Sequence, residues 1–276
     1  MLRAGLDRKS LVVALGGGVV GDVAGFAAAV YMRGIPVVQA PTTLLAQVDA
    51  SIGGKTGVDL AAGKNLVGAF HQPRAVFADT ETLRTLPLRE LRSGLAEVVK
   101  YGVISEPAML RAVREHARAV LARRQDALLP LIVRSCEIKA EVVAEDETEQ
   151  GRRVILNFGH TIGHALEAVT QFRRFLHGEA VAIGMMAAAL VGEHLGITPK
   201  EVTRELEATL RPVGLPSTLP SDIPIAQVLA ATRADKKAAS GGVRYVLARN
   251  PGNVELVSGV ADEAVIAALE RLRDRA

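Results

Sequence analysis

Three of the six histidines in this chain fall within 18 positions: His160, His164 and His177. His160 and His164 are four apart, so a helix carrying both presents them on one face. His177 follows a short polar and aromatic connection, 171–175, and opens a second apolar pattern of helical period. Imidazoles that converge from two adjoining helices are suited to a divalent metal, and neighbouring glycines let a ligand approach closely. The competing reading has each histidine capping a turn or filling a semi-polar core. A three-ligand site commonly joins histidines to one carboxylate. Glu97 is the best placed: it lies three residues from Lys100, among the apolar Leu95, Ala96, Val98 and Val99, and that pair is expected to be half-buried. Glu167 and Glu179 are the other candidates.

A second concentration of chemistry lies near the start. The apolar run 11–15 reads as a buried parallel strand. Gly16-Gly17-Gly18-Val19-Val20-Gly21-Asp22 follows directly, with a small-residue helix expected over 23–32. Gly16, Gly18 and Gly21 fit G-x-G-x-x-G, in which the backbone turns sharply against a diphosphate and helix N–H groups donate to it. The alternative is a tight strand–helix turn with no ligand. The full fingerprint wants an acid ending the next strand, 35–40, and none is there, so this is not an ordinary dinucleotide site. Thr42 and Thr43 bring hydroxyls to the carboxyl edge of that strand, where ligands of open sheets bind. Gly53-Gly54-Lys55-Thr56 imitates a phosphate-binding loop, but the first glycine of that motif falls on Asp49 and the assignment fails. Lys55 and Lys64, each read on a Gly-Lys turn, are either anion contacts or solvated loop lysines.

These groups need a scaffold, and 276 residues hold one large or two ordinary domains. Hydrophobic content of 49% is that of a globular chain, and with 3% aromatics its cores must be built from Ala, Val and Leu. Net charge is only +3, there is no Trp and no nucleic-acid motif, so RNA and DNA are not expected partners. Local positive charge suits an anionic small substrate. The longest apolar run, 180–191, is too short to span a bilayer. No signal-peptide pattern opens the chain, and the single Cys136 cannot form an internal disulfide, so the expectation is a cytoplasmic protein without a membrane partner. Strands are expected at 11–15, 35–40 and 75–79. From 88 to about 210 nearly every segment has helical period, including 88–103, 108–121 and 126–146. Runs 243–248 and 254–257 alternate around Asn250-Pro251-Gly252-Asn253 and read as a β-hairpin.

Several longer motifs carry a family resemblance: 15–22, Pro41-Thr-Thr-Leu-Leu-Ala-Gln-Val-Asp49, Gly53-Gly-Lys-Thr56, Gly63-Lys-Asn65, Gly94-Leu-Ala-Glu-Val-Val-Lys-Tyr-Gly102, Asn157-Phe-Gly-His-Thr-Ile-Gly-His164 and His177-Gly-Glu179. Together, and in order from 11 to about 257, they resemble the 3-dehydroquinate synthases, which are sugar-phosphate cyclases more remotely related to metal-dependent glycerol dehydrogenases. The resemblance implies zinc or cobalt held by Glu97, His160 and His177, with His164 an active-site residue rather than a ligand. It implies NAD against Gly18, Val19, Val20, Gly21, Asp22, Thr42, Thr43, Lys55, Lys64 and the segment Thr82, Leu83, Arg84, Thr85. Asp49, Asn65, Lys100, Lys139, Arg153 and Asn157 match positions that line the substrate pocket, and one of Lys236 and Lys237 matches a phosphate contact. A homodimer is expected.

The implied substrate, 3-deoxy-arabino-heptulosonate 7-phosphate, is strongly anionic, and the lysines and the arginine complement it. In the implied reaction NAD+ oxidises a secondary alcohol, the new ketone acidifies its neighbour, phosphate leaves, the same NADH returns the hydride, and an internal aldol step closes the ring. Proton steps fall to His164 or to the substrate's own phosphate. The implied fold is an incomplete, mostly parallel α/β nucleotide-binding domain over 1–86. A mainly α-helical metal- and substrate-binding domain with a C-terminal hairpin follows over 87–276. It is incomplete because the family carries several tens of residues before the first strand, which supply further strands and an acid for the cofactor ribose. Met1 is accordingly read as a misassigned start or a truncation. Two other readings are a valiolone-type or amino-substituted cyclase and a non-catalytic fragment that binds metal. Calorimetric titration of the 276-residue chain should show weak NAD+ binding; tight binding would sink the truncation reading.

Overall fold

The computed structural model describes residues 1–60, 63–234 and 242–273. The chain opens with β1 (Val12–Gly16), α1 (Gly18–Val30) and β2 (Val37–Pro41). A hairpin follows, β3 (Lys55–Leu60) and β4 (Gly63–Phe70), then the short β5 (Ala75–Val76). β1, β2 and β5 form a parallel sheet in the order β1-β2-β5, with Val12 opposite Val37 and Val38 opposite Ala75. The β1–α1–β2 crossover that joins parallel strands brings Gly16 and Pro41 to the same edge, and Thr42 N–H donates to the Gly16 carbonyl at 2.8 Å.

The rest is helical: α2 (Leu88–Ile104), α3 (Pro107–Glu115), α4 (Ala117–Leu121), α5 (Gln125–Glu145), α6 (His160–Val169), α7 (His177–His194), α8 (Lys200–Leu210), α9 (Ile225–Ala234) and α10 (Asp262–Arg273). β6 (Arg244–Asn250) and β7 (Asn253–Ser258) form the expected antiparallel hairpin between α9 and α10. α7 is the hub. It is apolar on every side beyond its first turn, as a helix enclosed by others must be, and Ala180 to Gly192 are buried without a break. One large core joins this helix to α2, α5, α6, α8 and the β6–β7 hairpin, whereas the sheet has only a small cluster of its own, Ala28, Ile35 and Val37. Among the described residues no helix is long and apolar enough to cross a membrane.

Four local readings change. The two Gly-Lys turns are the first residues of paired strands, Lys55 in β3 and Gly63-Lys64 in β4. Gly57 and Gly68 sit opposite each other there, and a Cβ at Gly68 would lie 2.2 Å from the Thr56 carbonyl oxygen, so these glycines serve strand pairing rather than loop turns. The helix expected over 108–121 breaks at His116 (φ −104°, ψ 16°) into α3 and α4. The strand read at 11–15 is parallel but not buried, because β1 is an edge strand with Val13 and Leu15 largely exposed; between β2 and β3 a π-helical turn spans Ala46–Ala50. The third strand is two residues long rather than five.

Glycine sets how closely the hub helix is approached. A Cβ on Gly184 of α7 would lie 2.0 Å from the Gly159 carbonyl oxygen, which no side-chain rotation can relieve. Gly184→Ala should therefore lower the unfolding free energy in urea by about 3 kcal/mol or more. An unchanged denaturation midpoint would show that α6 and α7 are not held at this separation.

Candidate active site

α2, α6 and α7 meet at one point. Glu97 on α2 has no exposed surface. Its Oε1 lies 3.5 Å from Nε2 of His160, the first residue of α6, and 3.5 Å from Nε2 of His177, the first residue of α7. No hydrogen-bond donor reaches that oxygen, although it is buried. Nδ1 of His160 faces the Phe158 carbonyl at 3.1 Å, and Nδ1 of His177 faces Oε1 of Glu167 at 3.5 Å. His164, one turn along α6, stands beside both: its ring centroid is 5.3 Å from that of His160 and 6.0 Å from that of His177.

Local structure explains why these residues meet. Gly159 adopts φ +80° and starts α6, and its backbone lies against Met185 and Val181 of α7. Gly178 N–H donates to Ser93 Oγ at 2.9 Å, and a Cβ there would fall 1.9 Å from the Ser93 carbonyl oxygen. The first turn of α7 is thus seated on α2 one turn before Glu97. Arg89 grips Glu179 through both carboxylate oxygens at 2.7 Å, so this runner-up ligand caps and anchors α7 rather than facing the histidines.

The expected half-buried Glu97–Lys100 pair is fully buried, with Lys100 1% exposed and in contact with Oε2 of Glu97. Asp49, at the end of the π-helical segment, draws in the next cation: Lys139 Nζ of α5 is 2.9 Å from its Oδ1 and donates to its backbone carbonyl at 2.6 Å. Lys100 Nζ is 3.7 Å from the same Oδ1, and Tyr101 OH donates to it at 2.6 Å. Burial pushes the Glu97 carboxyl up, but Lys100 and the two imidazoles outweigh it and hold the group at about 2. Burial likewise raises Asp49, yet Lys139 and Lys100 hold it well below the usual carboxylate range. Burial drives the His160 imidazole well below its ordinary value. It drives His177 down too, but Glu167 and Glu97 reverse this and raise it to about 9. The Lys139 ammonium is lowered, chiefly by burial.

Arg153 is 1% exposed and donates through Nη2 to the Gly53 carbonyl at 2.9 Å; Gly53, at φ +100°, lies close against its guanidinium. Asn157 Nδ2 donates to Glu149 Oε1 at 2.7 Å, and the other oxygen of Glu149 pairs with Lys55. These groups and the three histidines line a cavity of about 600 Å³, closed on the far side by Thr56, Gly57 and residues 66–70 of the hairpin. Asp22 reaches the same cavity from α1; burial, then Asp59, raises its carboxyl to about 6.

The expected nucleotide residues divide. Gly18, Val19, Val20 and Gly21 form the first turns of α1, which has no side-chain cap, and Gly17 before it lies against the Thr43 methyl. Thr43 Oγ1 accepts from Ala46 N–H at 3.2 Å. Thr82 is tied to the end of β2 through Gln47, whose Nε2 reaches the Pro41 and Asp79 carbonyls and Thr82 Oγ1. Leu83 is a core residue, while Arg84 pairs with Glu81 at the surface and Thr85 ends the 3-10 turn. Lys64 and Asn65 are placed by their backbone in β4; Lys236 and Lys237 lie outside the described residues. Sequence reasoning missed Tyr101, Glu149 and Gln47. Tyr101 was within reach, since it sits four residues after Glu97 on the same helix face. Glu149, in an aperiodic polar segment at φ +61°, left no signal.

Comparison with known proteins agrees with this geometry. The family described as 3-dehydroquinate synthase N-terminal matches residues 1–93, and 3-dehydroquinate synthase C-terminal matches residues 94–238. The chain belongs to the 3-dehydroquinate synthase family. The 3-dehydroquinate synthase of Symbiobacterium thermophilum is 56% identical over 274 residues, 99% of this chain and 76% of that protein. Among solved structures of similar fold is the 2-epi-5-epi-valiolone synthase ValA from Streptomyces hygroscopicus subsp. jinggangensis with NAD+ and Zn2+ bound. It has 31% identity and a TM-score of 0.93, covering 100% of this chain and 77% of that one. Another is 2-deoxy-scyllo-inosose synthase complexed with carbaglucose-6-phosphate, NAD+ and Co2+, with 29% identity and a TM-score of 0.88, covering 98% and 76%.

Asp49 is the near counter-ion of buried Lys139 and a second one for Lys100, so its loss leaves Lys139 uncompensated and Lys100 with Glu97 alone. Asp49→Asn should cost about 3 kcal/mol of stability near pH 7. Because the folded-state carboxyl is held below its usual range, that advantage of the parent chain exists above the usual range and disappears as pH falls through the lowered value. Denaturant unfolding of both proteins between pH 7 and pH 3 reads this; a gap that widens on acidification contradicts it.

Proposed function

We propose that the protein carries out the 3-dehydroquinate synthase reaction of aromatic amino-acid biosynthesis. It would convert 3-deoxy-D-arabino-heptulosonate 7-phosphate to 3-dehydroquinate and phosphate, with NAD and one divalent metal, zinc or cobalt, as cofactors. The observation that carries the reading is the meeting of Glu97, His160 and His177 with buried Lys100, Lys139 and Arg153 on one cavity, in a chain 56% identical to a protein of that name.

The residues fit a metal. Three ligand atoms about 2.1 Å from a tetrahedral ion lie about 3.4 Å apart, and both Nε2 atoms stand 3.5 Å from Glu97 Oε1, the oxygen without a donor. A divalent ion held by Glu97, His160 and His177 would supply polarisation of a secondary alcohol toward its alkoxide. The α1 N-terminus fits an anion, with first-turn N–H groups uncapped and glycine bringing the backbone close. NAD held there by Gly18 to Asp22, Thr42, Thr43, Lys55, Lys64 and 82–85 would supply a reversible hydride acceptor.

The remaining work falls to the chain itself. Lys100, Lys139 and Arg153, with Asn65, Asn157 and one of Lys236 and Lys237, bind the carboxylate, hydroxyls and phosphate of the substrate. Asp49 fixes Lys139 and Lys100 so that neither ammonium is free to turn away. His164 holds or moves a proton beside the ligand set. Walls of helix and hairpin exclude water while the substrate is in its oxidised form.

We place the nucleotide-binding unit at 1–86 and the helical unit at 87–276; the separate small core at Ala28, Ile35 and Val37 and the start of α2 at Leu88 support this. A homodimer in the cytoplasm belongs to the same reading. The single free Cys136 suits a reducing compartment.

The test is phosphate release from the heptulosonate phosphate with Co2+ or Zn2+ and millimolar NAD+, beside sedoheptulose 7-phosphate. Turnover of the first substrate alone is expected, and Glu97→Ala should reduce it about a thousandfold or more. Preference for sedoheptulose 7-phosphate would transfer the chain to the valiolone-type cyclases. Equal rates with and without Glu97 would remove the metal from the reading.

A further inference from the structure

Behind the proposed ligands stands a buried carboxylate that the reaction above does not use. Glu167 lies on α6, two turns after His160 and one turn after His164, and is 5% exposed. Its Oε1 is 3.5 Å from Nδ1 of His177, while Nε2 of the same ring is 3.5 Å from Glu97 Oε1. His177 is suspended between two carboxylates. His160 repeats the arrangement with a neutral acceptor, the Phe158 carbonyl at 3.1 Å from its Nδ1. Both rings therefore turn Nε2 inward and Nδ1 toward an acceptor. A ring whose Nδ1–H is engaged carries its lone pair on Nε2, the atom that faces the ligand centre.

The chain reversal between α6 and α7 makes this pairing possible. Gln171 and Phe172 are successive left-handed residues, φ 53° and 55°, and Phe172 N–H donates to the Glu167 carbonyl at 2.7 Å. Neither is glycine, so the turn costs about 1–2 kcal/mol at each. It returns the chain so that the last turns of α6 face the first residue of α7. Glu167 is not a second ligand of the Glu97 centre, because the His177 ring stands between its Oε1 and Glu97. His164, Glu167 and His177 also bring ligand atoms within 4.8 Å of one another, but that set would have to share the His177 imidazole with the first.

We propose that Glu167 is a positioning residue: it fixes the tautomer and rotation of His177 and makes its Nε2 a stronger donor to the metal. The inference rests on the reading of Glu97, His160 and His177 as the ligand set. A carboxylate behind a metal-bound imidazole pulls on the Nδ1 proton and enriches Nε2, which a backbone carbonyl does less strongly. His177 is thereby the charge-supported ligand of the pair, and His160 the one held by backbone alone.

Metal-free protein and the variants Glu167→Ala, Glu167→Gln and Glu97→Ala are titrated with Zn2+ against a chromophoric chelator. Co2+ is followed separately by its visible absorption. The parent chain should take up one ion. Glu97→Ala should lose measurable uptake, Glu167→Ala should bind about 10–100-fold more weakly with a changed cobalt spectrum, and Glu167→Gln, which keeps an acceptor but no charge, about tenfold more weakly. Parent-like affinity and cobalt spectrum in Glu167→Ala, with uptake lost in Glu97→Ala, overturn the inference and leave the ligand set standing. Should Glu167→Ala not fold, parent-like affinity and spectrum in Glu167→Gln overturn it equally. Parent-like uptake by Glu97→Ala overturns the ligand set itself. Two ions per parent chain and one in Glu167→Ala would make Glu167 a ligand and also overturn the inference.

Discussion

A carboxylate with no exposed surface governs this structure. Glu97 sits inside the largest core of the molecule, and an ionised group there is tolerable only if other charges and donors surround it. Lys100 approaches one oxygen from the same helix, and the imidazoles of α6 and α7 stand off the other. Lys100 is then a second buried charge, which brings in Asp49, and Asp49 brings in Lys139 and the Tyr101 hydroxyl. The partners come from five elements: α2, the π-helical segment, α5, α6 and α7. The arrangement is a poor way to gain stability, since apolar side chains of the same volume would fill this space at less cost. It is a good way to hold a preformed set of charges where, on the proposed reading, a metal and an anionic substrate would meet.

That requirement falls on the backbone. Gly178 seats α7 on Ser93, and Gly94, whose Cβ would lie 2.6 Å from the Leu45 nitrogen, seats the same helix α2 on the segment that carries Asp49. Gly159 and Gly184 bring α6 against α7. α2 is thus pinned on two sides within one turn of Glu97, and the ligand atoms inherit that precision. Side-chain contacts alone would leave each ligand the freedom of its rotamers and of the helix beneath it.

Much of this was legible in the sequence, and the limits have physical causes. The histidine pair four apart, the strand before the glycines and the all-apolar stretch of α7 each follow from local period or composition. The proposed ligand division, with Glu97 in and His164 out, comes from resemblance to a family, because spacing alone groups three histidines and leaves the carboxylate open. The β3–β4 hairpin was hidden because Gly53-Gly54 and Gly63 signal turns at the starts of its strands, while the close pairing of Gly57 with Gly68 inside it leaves no local signal. Complete burial of the Glu97–Lys100 pair was out of reach of helical periodicity: α2 is enclosed on nearly every side over 91–104, and only the tertiary arrangement decides that. Glu167 was visible as a carboxylate near histidines, but its place behind the ring depends on two left-handed residues that no composition rule marks.

The proposed chemistry explains why the two sides of the cavity are built differently. A hydride that leaves the substrate and later returns requires one molecule to stay in place through several steps, so one side of the site must not move. The helical side meets this, with Glu97, Lys100 and Arg153 each 1% exposed or less and tied to the large core. The hairpin side is joined to the helices differently, through Lys55 with Glu149 and Gln72 with Glu147, contacts that are largely exposed. Exposed ion pairs contribute at most about 1 kcal/mol each, far less than displacing any part of the core would cost. The helical side is thus the fixed wall of the cavity, and the hairpin side is the one tied to it by the weaker polar contacts. Glu149 links the two walls: it holds Lys55, which the proposed reading gives to the nucleotide, and Asn157, which it gives to the substrate, so one carboxylate orients a group on each side of the cavity.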